Sequence, residues 1–337
     1  MNITYLLGAG ASYNALPVVN QISERLKEFR KISIRTPNIG IPDFFSKHGF
    51  EKVDDVTSPS KMEVLSDLGK SISWLILEND KHFSIDTFAK KLYLQKDFNN
   101  LHKLKITLSC FFVYLQNTGF DNRYDSFFAS ILDDLKILPP NLKFLSWNYD
   151  YQFEIAFSNF IKNKKLSHNQ QALNVCSKGI KSPDRDSANS FGIYKLNGTT
   201  SLIDNGNNIN ILDNINEDEI ELLNEIVTYY YYSIKRKIPT TLSFAWEEEN
   251  ENYINSVSRC IKNTDILIVI GYSFPFFNRK IDTMLLKSMS KLKKIYIQDP
   301  SNSDSIEERI KSLISNLMPI DYNKIKMTDQ FYIPFEF

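Results

Sequence analysis

Residues 3–12, ITYLLGAGAS, decide how the chain is read. Ile3 to Leu7 form an unbroken apolar run of strand length, and it passes directly into a small-residue turn, Gly8, Ala9, Gly10, Ala11 and Ser12. Val18, Val19, Ile22, Leu26 and Phe29 then recur at the spacing of one helix face, so the start of the chain predicts a strand, a glycine turn and a helix. Similar runs return further along: LKFLSW ending at Trp147, GIYKL ending at Leu196, DILIVI ending at Ile270 and KKIYI ending at Ile297. Three of them are followed by amphipathic stretches, QFEIAFSNFIK, IDTMLLKSMSKL and SIEERIKSLISNL.

Buried strands alternating with amphipathic helices predict an α/β fold, a Rossmann-like doubly wound parallel sheet with helices on both faces. The sheet domain takes residues 1–40 and 140–337. Residues 41–139, which include IDTFAKKLYL and LHKLKITLSCFFVYLQN, predict a helical insertion. An acidic stretch, DNINEDEIELLNE, and a tyrosine run, Tyr229 to Tyr232, lie between the second and third of the returning strands. There is no repeat of fixed period.

Composition narrows the function. With 337 residues the chain has room for one large domain with an insertion, or for two domains. Lys plus Arg equals Asp plus Glu at 40 each, so no net field recruits nucleic acid or an anionic membrane. Cys110, Cys176 and Cys260 are far apart and form no C-x-x-C, which gives neither a zinc ribbon nor a disulfide framework and points to a reducing, cytoplasmic setting. No apolar run reaches the roughly 18 residues of a membrane span, and the N-terminus has no secretory pattern.

In an open parallel sheet, ligands bind outside the carboxyl ends of the strands. Every predicted strand here ends in small or polar residues: Gly8 to Ser12, Asn148-Tyr149-Asp150, Asn197-Gly198, Gly271-Tyr272-Ser273 and Gln298-Asp299-Pro300. Each cluster has a plain structural reading. Glycines serve tight turns, Ser12 caps a helix, and Asn148 to Asp150 form an Asx turn. The ligand reading is that Gly8 and Gly10 admit a pyrophosphate close to the backbone, with helix N–H groups aimed at it. The third glycine and the acidic residue of the usual dehydrogenase fingerprint are missing.

LLGAGAS, SWNYD, YKLNG, VIGYSF and IYIQDP resemble, in order and approximate spacing, the bacterial sirtuin-like domains, which include NAD-degrading effectors of antiphage defence. The resemblance covers about residues 3–16, 142–158, 191–201 and 264–312. It implies NAD as substrate or ligand, with the glycine loop on the pyrophosphate and Asn148 beside the nicotinamide ribose. Asp150 then orders that loop, Gly271, Tyr272 and Ser273 face the adenosine half, and Gln298 or Asp299 lies near its ribose. GIPDFF, residues 40–45, echoes the cofactor-loop motif but lies far from the glycine turn. The zinc ribbon of sirtuins proper is absent, and no metal is implied.

Where the family places a histidine before the glycine of its third motif, this chain has Asn197, followed by Gly198. An amide orients a hydroxyl but cannot take its proton. The four histidines, His48, His82, His102 and His168, lie outside the motifs; His82 and Asp86, at the start of a predicted helix placed to cover the pocket, are the candidates for catalytic work in place of the family's histidine, against plain readings as a surface residue and a helix N-cap. Two functions follow. One is an NAD+ hydrolase that depletes NAD in antiphage defence, held silent until a homo-oligomer, or a neighbouring ATPase or sensor protein, completes its site. The other is a catalytically impaired subunit that binds NAD or ADP-ribose without turnover. A serine hydrolase has no G-x-S-x-G to rest on.

Overall fold

Strand-length apolar runs with no polar face must be covered on both sides, and the chain folds accordingly. The computed structural model describes residues 1–34, 61–135, 137–163, 165–184, 186–204, 207–213, 218–247, 250–314 and 319–337. In chain order the strands are β1 (Ile3–Leu7), β2 (Leu142–Ser146), β3 (Val175–Ser177), β4 (Gly192–Lys195), β5 (Leu202–Asp204), β6 (Asn207–Ile209), β7 (Ile266–Ile270), β8 (Lys294–Gln298) and β9 (Asp321–Ile325). The helices are α1 (Ile22–Ile34), α2 (Lys61–Lys81), α3 (Ile85–Leu94), α4 (Phe98–Thr118), α5 (Asn122–Ile131), α6 (Gln152–Ile161), α7 (Leu166–Ala172), α8 (Glu219–Arg236), α9 (Glu251–Cys260), α10 (Arg279–Ser288) and α11 (Ser303–Ile314).

The described residues form two units. The first comprises Met1–Ala15, Phe120–Thr199 and Ser243–Phe337. Its seven strands pair in the order β3-β4-β2-β1-β7-β8-β9, and every pairing is parallel. This is the Rossmann-like α/β sheet. Side chains alternate between its faces: Leu6, Leu145, Val269 and Ile297 join one core with Ile254 and Val257 of α9, Leu285 of α10 and Ile310 of α11. Tyr5, Leu7, Phe144 and Ile268 join the other, with Tyr124 and Phe127 of α5 and Phe153 and Phe157 of α6.

The second unit, Leu16–Gly119 with Thr200–Leu242, holds α1 to α4, α8 and the β5–β6 hairpin. Helix α4 buries Leu104, Cys110, Phe111 and Leu115, and α8 buries Leu222, Ile226 and Tyr229. Ser84 caps α3 by accepting from the Thr87 N–H, which leaves Asp86 in the first turn of that helix rather than at its cap.

Two details differ from the sequence reading. The helix does not follow the glycine turn directly: single 3-10 turns at Ala9–Ser12 and Val19–Gln21 come first, and α1 begins at Ile22. Pro17 accounts for this, since it lacks an N–H and disfavours helical backbone at Leu16. Strands β3 and β9 carry no clear signal in the sequence: β3 is three residues long, and β9, DYNKI, is a polar edge strand. Among the described residues, no helix is long and apolar enough to cross a membrane, and no group of three His, Cys, Asp or Glu side chains is placed to hold a metal. All three cysteines are buried and free.

Phe144 tests how much the β1–β2 core contributes. Its ring stacks on Tyr5 at 5.0 Å between centroids and meets the edge of Phe153 at 4.8 Å. Phe144→Ala should cost about 3–5 kcal/mol, read as a fall in the urea midpoint at unchanged slope; a loss below about 1 kcal/mol would contradict this packing.

Candidate functional site

The chain winds outward from β1 through β2 to β4 on one side, then returns to β7, β8 and β9 on the other. The connections therefore diverge between β1 and β7, and this switch point is where an open parallel sheet leaves a crevice for a ligand. Its walls are the turn after β1 and the turn after β7.

These two turns touch backbone to backbone. Gly8 donates its N–H to the Ile270 carbonyl at 3.1 Å, and Gly10 donates to the Gly271 carbonyl at 3.0 Å. A Cβ on Gly8 would lie 2.5 Å from the Gly271 oxygen, and one on Gly10 would lie 2.8 Å from the Gly271 Cα. Gly271 has φ +60 and would drive a Cβ into the Gly10 carbonyl carbon and the Ala11 nitrogen. The glycines thus have a structural reason for being there, the contact between the turns, and the Gly10 N–H is used in it. Ala9 is exposed at the tip of the turn, while Ala11 is buried in the core beneath it.

The turn after β2 is tied to the glycine turn through side chains. Asn148 donates its amide nitrogen to the Gly8 carbonyl at 3.0 Å and to Ser12 Oγ at 3.3 Å. Because a carbonyl only accepts, this bond fixes the orientation of the amide. Among the described residues Asn148 Oδ1 then has no partner. Ser12 Oγ donates to Asp150 Oδ2 at 2.7 Å and lies 2.8 Å from the Tyr124 hydroxyl. Asp150 Oδ1 accepts from the Gln152 N–H at 3.2 Å, so this carboxylate orders the turn. Burial and the nearby Asp150 push the Tyr124 hydroxyl well above its ordinary range, so it stays protonated.

Asn197 is held at both ends of its amide. It donates to the Trp147 carbonyl at 3.0 Å and accepts from the Ala245 N–H at 3.0 Å, and its own carbonyl accepts from Ser243 N at 2.9 Å. A single amide thereby joins the turns after β2 and β4 to the segment 243–245, a reason for asparagine here that the sequence did not reveal. Gly198 takes the left-handed backbone, φ +75, that the following turn needs. Two residues earlier, Lys195 is fully buried beside Glu154, and burial pushes the Glu154 carboxyl up against the opposing pull of Lys195.

The remaining motif residues divide into anchored and open groups. Tyr272 stacks on the Trp147 indole at 5.5 Å, and its hydroxyl donates to both oxygens of Asp282, at 3.1 and 2.9 Å. Gln298 donates to the carbonyls of Met327 and Gln330 and accepts from the Tyr332 N–H, so its amide anchors the C-terminal segment. Asp299 Oδ1 caps the approach to α11 by accepting from Ser301 and Asn302. Ser273 is exposed, and its hydroxyl has no partner among the described residues.

Sequence reasoning missed Tyr124 and Arg123 on α5, which lie directly against the glycine turn, and the exposed aromatic rings of Tyr13 and Phe276 at its two walls. Tyr13 and Phe276 could have been noticed as aromatic residues inside or just after motifs; Arg123 and Tyr124 sit in an ordinary amphipathic pattern. In the helical unit, His82 Nδ1 lies 2.8 Å from the Glu78 carbonyl and Nε2 lies 3.4 Å from Lys91 Nζ. That unit also has a cavity of about 640 Å³ between α2 and α8, lined by residues that include Lys70, Tyr230 and Lys235 and by none of the motif residues. GIPDFF and His48 lie outside the described residues. Comparison of the sequence with models of known protein families and with curated proteins gave no match.

Gly271→Ala forces a side chain into left-handed backbone and into the facing turn, at a combined cost of about 2–5 kcal/mol; a Gly271→Ala protein as resistant to urea as the parent would refute the turn-to-turn contact. Burial raises the Asp282 carboxyl well above its ordinary 3.8, against the bonds from Tyr272. A raised acid holds its proton longer folded than unfolded, so its contribution is full below that ordinary value and is lost as pH rises toward the raised one. Asp282→Asn should remove this loss, and the stability gap between variant and parent should widen in the variant's favour between pH 5 and pH 8, by at most about 1.4 kcal/mol per pH unit; a gap constant across that range would contradict it.

Proposed function

We propose that the protein binds a nicotinamide dinucleotide at the β1/β7 switch point and cleaves its nicotinamide–ribose bond, acting as an NAD+ hydrolase of the sirtuin-like kind. The observation that carries this reading is Asn148: its nitrogen is spent on Gly8 and Ser12, so Oδ1 is left beside the glycine turn as an acceptor with no partner among the described residues. The resemblance of five ordered motifs supports NAD over other nucleotides. It also supports a cytoplasmic role in antiphage defence, with a homo-oligomer or a neighbouring ATPase or sensor as the activating context.

The chemistry suits a site with few bases. The C1′–N1 bond breaks with its electron pair going to the nicotinamide ring, which leaves as a neutral molecule and needs no acid. A water oxygen then adds at C1′, and its proton passes to solvent. Asn148 Oδ1 orients the ribose hydroxyl or that water by accepting a hydrogen bond, while the turns at 8–12 and 271–273 hold the pyrophosphate and adenosine. Asp150 keeps the Asn148 turn in shape through Ser12 and Gln152.

A second reading, binding without turnover, is favoured by Asn197. Its amide is occupied by Trp147 and Ala245, so the position that carries the family's histidine offers no proton acceptor.

The test is nicotinamide release from NAD+ by the full chain, alone and with the product of a neighbouring gene, alongside calorimetry with ADP-ribose. Asn148→Ala should lower release about 10- to 100-fold and leave ADP-ribose affinity within about threefold. Binding of ADP-ribose with no release in either setting selects the second reading. A parent protein that binds neither compound refutes both.

A further inference from the structure

A fully buried lysine at the end of a strand is costly, because an apolar side chain of similar volume packs there without the desolvation penalty of an ion pair. Lys195 is such a residue. It is the last residue of β4, in register with Ser146 of β2, two positions before Asn148. Its side chain and that of Glu154 are both wholly buried, with Nζ 3.4 Å from Glu154 Oε2. The pairing is incomplete, since Glu154 Oε1 has no partner among the described residues. The shorter bond goes elsewhere: Nζ donates to the carbonyl of Asp150 at 2.5 Å.

The glycine turn is held in the same way. Arg123 is buried, with Nε and Nη2 on the Asp121 carboxylate, at 2.6 Å for the shortest contact. Its Nη2 also donates to the carbonyls of Gly10 and Ala11, at 3.2 and 3.0 Å. Its guanidinium lies 4.6 Å from the Tyr13 ring centroid and 5.3 Å from that of Phe331. Each of the two turns assigned to the ligand is therefore fastened through main-chain carbonyls by its own buried cation, and each cation has its own buried carboxylate.

The geometry points to Lys195 as a positioning residue for the chemistry at Asn148, with Arg123 as its counterpart for the glycine turn that holds the pyrophosphate. Lys195 touches no substrate. It fixes the 148–150 turn from below, so that Asn148 Oδ1 keeps its place against the reacting ribose. An arrangement with one cation per turn separates catalysis from binding: loss of Lys195 slows the reaction, and loss of Arg123 weakens the grip on the dinucleotide. This inference rests on the proposed function for its catalytic half. Its structural half, the pinning of the turn, holds with or without a ligand.

The test compares the parent with Lys195→Met/Glu154→Gln and with Arg123→Met/Asp121→Asn. Each pair removes the partner carboxylate as well, so that no unpaired charge is left buried and the variants fold. In ligand-free protein, amide hydrogen exchange across residues 147–152 should speed up at least about tenfold in the Lys195 pair, with residues 98–118 unchanged. The Lys195 pair should keep ADP-ribose affinity within about threefold and lose about 10- to 100-fold in single-turnover nicotinamide release. The Arg123 pair should lose affinity at least about tenfold. Exchange unchanged across 147–152, or rate and affinity falling together in the Lys195 pair, overturns the assignment. If the parent releases no nicotinamide, the hydrolase reading fails, and the exchange result alone decides whether Lys195 pins the turn.

Discussion

The contact between the turns after β1 and β7 is the constraint on which the rest of the site depends. Parallel strands that diverge at a switch point leave a gap, and here the gap is closed at its base by glycine backbone on glycine backbone, with the Gly10 N–H bonded to the Gly271 carbonyl. A methyl group at Gly8, Gly10 or Gly271 would hold the turns apart. Their approach fixes where the Gly8 carbonyl sits, and that carbonyl in turn holds Asn148. The order of cause runs from strand topology to turn contact to the orientation of one amide.

Polar groups at the carboxyl edge then divide their work. Asn197, Gln298 and Tyr272 are occupied by backbone carbonyls, N–H groups or a buried carboxylate, and they hold the turns to one another and to the C-terminal segment. Asn148 Oδ1 and the Ser273 hydroxyl have no partner among the described residues. Buried cations below the surface, Lys195 and Arg123, hold main-chain carbonyls and so give the turns a rigidity that glycine-rich backbone lacks by itself. Pre-organisation of this kind matters most for a reaction that relies on orientation more than on proton transfer.

Much of the fold was legible because β1, β2, β4, β7 and β8 are almost wholly buried and read as short runs dominated by apolar residues. Strand β9 was not, since an edge strand needs no such run and DYNKI has three polar residues and none that is fully buried. The start of α1 was misplaced because Val18 and Val19 fit its helical spacing while Pro17 just before them forbids a continuous helix from the turn. For the site, the residues at the strand ends could be read, but their partners could not. Nothing in YKLNG says that the asparagine spans Trp147 and Ala245, and nothing in NRYDSFFASI says that its arginine supports a turn more than a hundred positions earlier. Such contacts depend on tertiary structure, which single-sequence periodicity does not encode.

Whether a dinucleotide occupies the β1/β7 switch point, as proposed, is decided by amide hydrogen exchange with and without saturating ADP-ribose. Exchange should slow in residues 8–13, 148–151 and 271–274 together, with residues 61–118 unaffected. Protection confined to the helical segments, or none at the three turns under conditions where calorimetry shows binding, would contradict it.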